Sequence, residues 1–258
     1  MNHYMNEDKS IRLYQGDCFD ITGEMIKKGI EVGAIITDIP FNISSKNNFS
    51  TMKDRKGRNG IDFGEWDKGF DEKILAKLIP LIKSGGSFVT FLAFEQYSIL
   101  KEILEREGMI LKDRFIWKKT NPMPRNRDRR YISNCELGVW FVKPKEKWTF
   151  NRQDEKYQQM VFEYPSESGG GFKRYHPTQK NLKMIKELIK IHSNKGDIIL
   201  DPFMGSGTTA VVAKGLKREY IGIELSPDYC KMAEKRIEKN NHQSEVALLH
   251  PLTLFQEN

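Results

Sequence analysis

The chain has 258 residues, of which 38% are hydrophobic and 30% charged, and its formal net charge is +7. This composition can supply the core of one large domain, and no apolar run approaches the roughly 20 residues of a transmembrane helix. Residues 1–10 lack the apolar segment of a signal peptide, so we expect a cytoplasmic protein. The isolated cysteines predict neither a disulfide framework nor a metal site; they are Cys18, Cys135 and Cys230.

Short apolar runs alternate with amphipathic stretches along most of the chain. The β-branched runs predict buried strands over 33–38, 87–91, 198–201 and 220–224. Apolar residues at helical spacing predict helices over 71–82, 96–107, 181–192, 208–216 and 227–239. This alternation predicts an α/β fold with a mainly parallel, twisted sheet and helices on both faces. We expect residues 1–258 to form one domain of this kind.

Two longer segments, residues 42–67 and 120–180, interrupt the alternation and are predicted as loops. Loops of this length are usually functional, and ligands of open α/β sheets bind beyond the carboxyl ends of strands. Their clustered cations predict either contact with a polyanion such as nucleic acid or a solvated surface. These cations are Lys46, Lys53, Arg55, Arg125, Arg127, Arg129 and Arg130.

A glycine turn follows the predicted strand 198–201. The turn reads Asp201-Pro202-Phe203-Met204-Gly205-Ser206-Gly207-Thr208-Thr209, and Glu224 ends the next predicted strand. Glycines let the backbone approach a ligand closely, and an acid at the end of the following strand can bind two ribose hydroxyls. The pattern indicates a nucleoside-containing cofactor. A dinucleotide is disfavoured, because the phosphate-binding pattern GxGxxG is absent.

A second motif, Asp38-Ile39-Pro40-Phe41, follows the predicted strand 33–38. A carboxylate, backbone carbonyls beside a proline and an aromatic ring together can receive the amino group of a base. A simple Asx or proline turn has the same sequence pattern, so this motif alone leaves both interpretations open.

Taken together, the two motifs resemble the signatures of the amino-methylating DNA methyltransferases. The family's catalytic motif is Asp/Asn/Ser-Pro-Pro-Tyr/Phe, and its cofactor motif is Asp-Pro-Phe-x-Gly-Ser-Gly-Thr-Thr. The catalytic motif comes first here, an order that resembles the β class and implies a circularly permuted, Rossmann-like methyltransferase fold. Three further matches extend the resemblance over residues 13–236: Gly16-Asp17-Cys18, Trp117-Lys118-Lys119-x-Asn121-Pro122-Met123-Pro124 and His176-Pro177-Thr178-Gln179-Lys180.

The resemblance implies methyl transfer from S-adenosylmethionine to N6 of a flipped adenine in DNA, without a metal. It implies that Asp38 and the Ile39 carbonyl accept hydrogen bonds from the amine and that Phe41 stacks on the base. It places Asp17 at the cofactor adenine, Glu224 at the ribose, and Thr178 and Lys180 at the amino-acid end. The remaining cofactor residues are Cys18, Asp201, Phe203, Gly205, Ser206, Gly207 and Thr208.

DNA is the implied partner, through loop 42–67 and a target-recognition insertion over 120–180. A cognate restriction endonuclease in the same cell and a homodimer are compatible with the resemblance, and membrane contact is not expected.

Ile39 departs from the family, which usually has proline at this position. Isoleucine keeps the carbonyl but lacks the fixed φ of proline, so Ile39→Pro is expected to preserve or raise activity if preorganisation is missing. N4 of cytosine is the nearest alternative acceptor, although aspartate at position 38 favours adenine within the family. An RNA methyltransferase or an orphan binding protein with a degenerate loop is the other alternative.

Overall fold

The computed structural model describes residues 3–41, 72–122, 131–167 and 179–241, and nine strands of these residues form one sheet. In chain order the strands are β1 (His3–Met5), β2 (Ile11–Gln15), β3 (Val32–Asp38), β4 (Ile82–Leu92), β5 (Ile110–Lys119), β6 (Cys135–Val142), β7 (Val161–Tyr164), β8 (Ile198–Asp201) and β9 (Glu219–Glu224). Their order across the sheet is β1-β2-β9-β8-β3-β4-β6-β5-β7.

The centre of the sheet is parallel. Strands β2, β9, β8, β3 and β4 are neighbours and run in the same direction. Strand β6 is antiparallel to β4 and to β5, and β1 is antiparallel to β2. One edge of the sheet, called the carboxyl edge below, therefore collects the carboxyl ends of the five central strands, the end of β5 and the start of β6. The predicted mainly parallel sheet is confirmed.

Helices cover both faces of this sheet. They are α1 (Cys18–Lys27), α2 (Tyr97–Arg106), α3 (Leu182–His192), α4 (Thr208–Gly215), α5 (Pro227–Asn241) and the 3₁₀ helices Glu72–Leu81 and Phe94–Gln96. Alternate residues of β3 point to opposite faces. Ala34 and Ile36 pack with α3, α4 and α5, whereas Ile35 packs with α1, α2 and the first 3₁₀ helix. Val32 joins Ile35 on that second face, because the strand register shifts between Val32 and Ala34. Within the described residues, no helix has the length and apolar character needed to span a membrane.

The structure differs from the sequence prediction mainly on one side of the sheet. Strands β6 and β7 lie inside segment 120–180, so this part of the predicted insertion belongs to the sheet. Strand β5 was not predicted, because lysines, an aspartate and an arginine interrupt its apolar pattern. Phe115 and Trp117 are its buried residues. The predicted helix over 71–82 is a 3₁₀ helix ending at Leu81, and β4 begins five residues earlier than predicted.

Candidate active site at the carboxyl edge

The glycine turn and Glu224 lie side by side beyond β8 and β9. Glu224 Oε2 accepts a hydrogen bond from the Gly205 N–H at 3.0 Å, and Oε1 accepts one from the Ser226 N–H at 2.8 Å. The Gly16 N–H donates to the Glu224 carbonyl, which joins the end of β2 to the same place. Burial raises the pKa of Glu224, although these backbone donors oppose the shift. The structure thus brings together an acid and a backbone turn, as an adenosine-binding site requires.

Asp201 and Ser206, both predicted to bind cofactor, have buried side chains that organise the turn. Asp201 Oδ1 accepts hydrogen bonds from Thr37 Oγ1 at 2.7 Å and from the Phe203 N–H at 3.2 Å. Burial raises the pKa of Asp201 to about 6. Because Thr37 precedes Asp38, the Thr37–Asp201 hydrogen bond ties the glycine turn directly to the catalytic motif.

Arg236 of α5 holds the glycine turn through hydrogen bonds to Ser206 and Thr208. Sequence analysis did not identify this residue. Arg236 Nη1 donates to the Ser206 carbonyl at 2.6 Å and to Ser206 Oγ at 2.8 Å, and lies 3.3 Å from Thr208 Oγ1. Gly207 has φ of +78°, and a Cβ there would lie 2.7 Å from Ala233 Cβ. Glycine is therefore required at position 207 by both backbone conformation and packing.

Asp17 and Cys18 lie at the start of α1. Asp17 caps the helix, since its Oδ1 accepts hydrogen bonds from the Phe19 and Asp20 N–H groups. Cys18 is buried, and burial raises the pKa of its thiol to about 12. The Asp17 side chain therefore caps α1 in this structure, and its contact with the cofactor adenine stays a prediction.

The catalytic motif begins at the end of β3, next to β8. The Ile39 side chain is 1% exposed and belongs to the apolar cluster under α1 and α2. The Pro40 carbonyl accepts a hydrogen bond from Gln96 Nε2 at 2.8 Å, while Gln96 Oε1 accepts one from the Ala93 N–H at 3.0 Å. A core side chain and a buried glutamine therefore hold the loop at the position where the family has a second proline.

Asp38 lies at one end of a chain of alternating charges. Its Oδ2 is 2.6 Å from Lys180 Nζ, which is also 2.9 Å from Glu136 Oε2. Glu136 Oε1 is in turn 2.6 Å from Lys119 Nζ. Asp38 Oδ1 is buried and has no hydrogen-bond partner among the described residues. Lys180 was expected at the cofactor's amino-acid end; here its ammonium is engaged by two carboxylates.

Burial and the ion pairs act against each other on the pKa values of this network. Burial raises the pKa of Asp38 to about 6 against the opposing effect of Lys180. Burial also opposes ionisation of Glu136, but Lys180 and Lys119 outweigh it and lower the pKa of that carboxyl. For Lys180, desolvation is outweighed by Asp38 and Glu136, so its pKa is raised. Glu136 was missed by sequence analysis because it lies in no motif.

Some predicted residues lie outside the described part of the chain. They are Thr178 and the cations Lys46, Lys53, Arg55, Arg125, Arg127, Arg129 and Arg130. Phe41 is described and packs partly against the core, with the Lys180 ammonium 5.2 Å from its ring centroid. Trp117 and Trp140 are buried in the core.

A glycine turn beside an acid, next to a buried carboxylate with one unpartnered oxygen on a mainly parallel sheet, is compatible with a methyltransferase that acts on amino groups. The chain belongs to the DNA methylase family, whose model matches residues 32–235.

Two characterised relatives align over most of the chain. The Type II methyltransferase M2.DpnII of Streptococcus pneumoniae is 31% identical over 257 residues, covering 92% of this chain and 93% of the relative. The Type II methyltransferase M.HinfI of Haemophilus influenzae is 30% identical over 266 residues, and the match covers 92% of this chain and 71% of the relative.

Solved structures agree with this assignment. The crystal structure of the M1.HpyAVI–SAM complex is 37% identical, with a TM-score of 0.70, and the match covers 88% of this chain and 98% of that one. The PvuII cytosine-N4-specific DNA methyltransferase shares the fold at 19% identity, with a TM-score of 0.63. The predicted Rossmann-like methyltransferase fold is confirmed, and the chain is a DNA methyltransferase.

Proposed function

We propose that the chain transfers a methyl group from S-adenosylmethionine to N6 of an adenine flipped out of duplex DNA. The observation that carries the proposal is Asp38 Oδ1, a buried hydrogen-bond acceptor at the end of β3 that has no partner among the described residues. It lies on the strand next to β8, whose glycine turn is tied to β3 by the Thr37–Asp201 hydrogen bond. An amine held by Asp38 therefore lies beside the turn that would hold the cofactor.

The described residues fit S-adenosylmethionine. The Glu224 carboxylate keeps free lone pairs for a ribose diol after accepting two backbone N–H groups. Positive φ angles at Gly205 and Gly207 turn the backbone sharply beyond β8. The cofactor supplies an electrophilic methyl group on a sulfonium centre. That a solved relative was crystallised with SAM supports this choice.

The adenine amine is a weak nucleophile, because its lone pair is delocalised into the ring. Asp38 Oδ1 and the Ile39 carbonyl each accept a hydrogen bond from one N–H of this amine. These hydrogen bonds favour a tetrahedral nitrogen with an available lone pair. As the N–C bond forms and the C–S bond breaks, positive charge develops on the nitrogen, and the Asp38 carboxylate stabilises it. The methylated nitrogen then passes one proton to the Asp38 carboxylate, which releases it to solvent, and the neutral N6-methyl amine remains.

Phe41 supports the extrahelical base. Flipping a nucleotide costs a few kcal/mol, and stacking on an aromatic ring contributes about 1–3 kcal/mol. The Lys180 ammonium lies over the Phe41 ring, 5.2 Å from its centroid. We propose that the base stacks on the other face of this ring.

The test is direct identification of the methylated base. The chain is incubated with methyl-labelled S-adenosylmethionine and bacterial genomic DNA from a strain without DNA methyltransferases, and the DNA is digested to nucleosides. We expect labelled N6-methyldeoxyadenosine by chromatography and mass spectrometry. Labelled N4-methyldeoxycytidine instead would make cytosine the acceptor. A parallel incubation with RNA in place of DNA is the control, and label in that RNA with none in the DNA would refute the proposal.

The basic loops are proposed as the DNA surface, with most cations on phosphates and one or two arginines reading guanine. Removing a cation that neutralises one phosphate should lower the slope of log affinity against log salt by about 0.9. Alanine variants at the arginines that all keep the wild-type affinity and slope would exclude this surface. The cations concerned are Arg125, Arg127, Arg129, Arg130, Lys46, Lys53 and Arg55. A restriction endonuclease partner, a homodimer and a cytoplasmic location stay predictions.

A further inference from the structure

We propose that Lys180 and Glu136 are positioning residues that hold one oxygen of Asp38 and leave the other directed at the target amine. The proposal rests on the proposed function, because it gives a task to the side chains around the same carboxylate. It also departs from the role that family resemblance gives Lys180, which is to hold the cofactor.

Three distant parts of the chain supply these side chains. Asp38 ends β3, Glu136 is the second residue of β6, and Lys180 precedes α3. The Lys180 side chain is 7% exposed and that of Glu136 18%, so the pair is mostly withdrawn from water. Burying charges is costly unless each is paired at close range. The 2.6 Å and 2.9 Å contacts of Lys180 provide that pairing on both sides.

The geometry distinguishes the two oxygens of Asp38. Oδ2 is occupied by the Lys180 ammonium, whereas Oδ1 has no partner among the residues that the structure describes. A carboxylate fixed through one oxygen cannot rotate freely, so Oδ1 is held in one direction. The same ammonium lies 5.2 Å from the Phe41 ring centroid and 4.9 Å from that of Phe91. Lys180 thus contacts the first and fourth residues of the catalytic motif together.

Glu136 keeps Lys180 in place and balances its charge. Lys119, at the end of β5, holds the far oxygen of Glu136 at 2.6 Å. The charges alternate in sign along Asp38, Lys180, Glu136 and Lys119. The net charge of these four side chains is zero when all are ionised. Without Glu136, Lys180 would have Asp38 as its single described carboxylate partner, and the distribution of charge around the reactive group would change.

The proposal predicts pH effects of opposite sign. The charged groups that face Asp38 are Lys180, Glu136 from β6 and Asp201 from β8. Burial raises the pKa of Asp38, Lys180 lowers it, and Glu136 and Asp201 raise it further. Removing the cation should therefore raise this pKa, and removing the Glu136 anion should lower it. Because catalysis uses the ionised carboxylate, the acid limb of the rate profile should follow the pKa in each case.

The experiment measures single-turnover methylation of unmethylated bacterial genomic DNA from the acidic into the alkaline range, with saturating S-adenosylmethionine. In Lys180→Met we expect the acid limb to move up by about 1–3 pH units, the usual effect of one close opposite charge. In Glu136→Gln we expect it to move down. Lys180→Arg should bring the limb back towards the wild type, because it restores the cation.

Glu163→Gln is the matched control. It breaks the exposed 3.0 Å ion pair with Lys118, one residue before Lys119 on β5, and should leave the acid limb in place. An acid limb unmoved in folded Lys180→Met, or weaker cofactor binding with an unmoved limb, would overturn the proposal. If Lys180→Met does not fold, the test rests on Glu136→Gln. An acid limb that stays at its wild-type position in Glu136→Gln would then overturn the proposal. A wild type that forms no methyladenine refutes the proposed function instead.

Discussion

Ile39 offers a quantitative test of how the catalytic loop is held. Its side chain is 1% exposed, in the apolar cluster that includes Leu92, Leu100 and Ile223. Truncations at such a site remove apolar contacts and leave a cavity, so we expect Ile39→Val to lower the free energy of unfolding by about 0.5–1.5 kcal/mol and Ile39→Ala by about 2–5 kcal/mol. The whole free energy of unfolding of a typical domain is only about 5–15 kcal/mol.

The buried Ile39 side chain also bears on the outcome of Ile39→Pro. Proline has one side-chain carbon fewer and no N–H, so we now expect a loss of stability at least as large as that of Ile39→Val. The sequence-based expectation of preserved or raised activity assumed a poorly held loop. The structure shows instead that the Ile39 side chain and the Gln96–Pro40 hydrogen bond hold it.

Urea unfolding followed by tryptophan fluorescence measures these differences, because Trp117 and Trp140 are buried. Ile99→Ala is the matched control: this isoleucine lies on α2 with 49% of its surface exposed. Its truncation should change stability by no more than about 0.5 kcal/mol. Equal losses in Ile39→Ala and Ile99→Ala would refute the argument that the loop is anchored through the core.

Three further predictions concern the reactive carboxylate and the cofactor site. Asp38→Ala should abolish methylation while the calorimetric affinity for S-adenosylmethionine stays within a few-fold of wild type; retention of most of the rate would contradict the role of Asp38. Glu224→Ala should weaken S-adenosylmethionine binding strongly with the fold intact, and unchanged affinity would remove Glu224 from the site. Gly207→Ala should destabilise the chain by about 1–3 kcal/mol, because its φ is +78° and a Cβ would meet Ala233. In the control Gly23→Ala, where a Cβ meets nothing within 4 Å, denaturant unfolding should show a gain of about 0.5–1 kcal/mol.

The central fold could be predicted from sequence because its signals are local. Buried parallel strands such as β3 and β8 are short, continuous apolar runs, and the helices between them have a clear apolar period. Strand β5 gave no such signal. Its outward side chains are charged, and its place in the sheet depends on pairing with β6 and β7, which follow it by many residues. Long-range pairing of this kind leaves little trace in a single sequence.

The residues of the candidate site also divide into those that local sequence signals predicted and those that they did not. Asp38, the glycine turn and Glu224 were found because each belongs to a short motif at the end of a strand. Glu136 and Arg236 were not, since each acts on a residue distant in the chain and has ordinary sequence neighbours.

Lys180 shows why a motif position does not fix a side chain's task. It is 142 residues from Asp38 in sequence, yet the two are in direct contact. Sequence places Lys180 just before a helix, where a cation could reach a cofactor carboxylate, a catalytic carboxylate or solvent. What decides between these is the position of Glu136 on β6, which is separated from β3 by β4, because a second carboxylate fixes the ammonium between two anions. Its partner is therefore determined by the register between β4 and β6, which the motif itself does not encode.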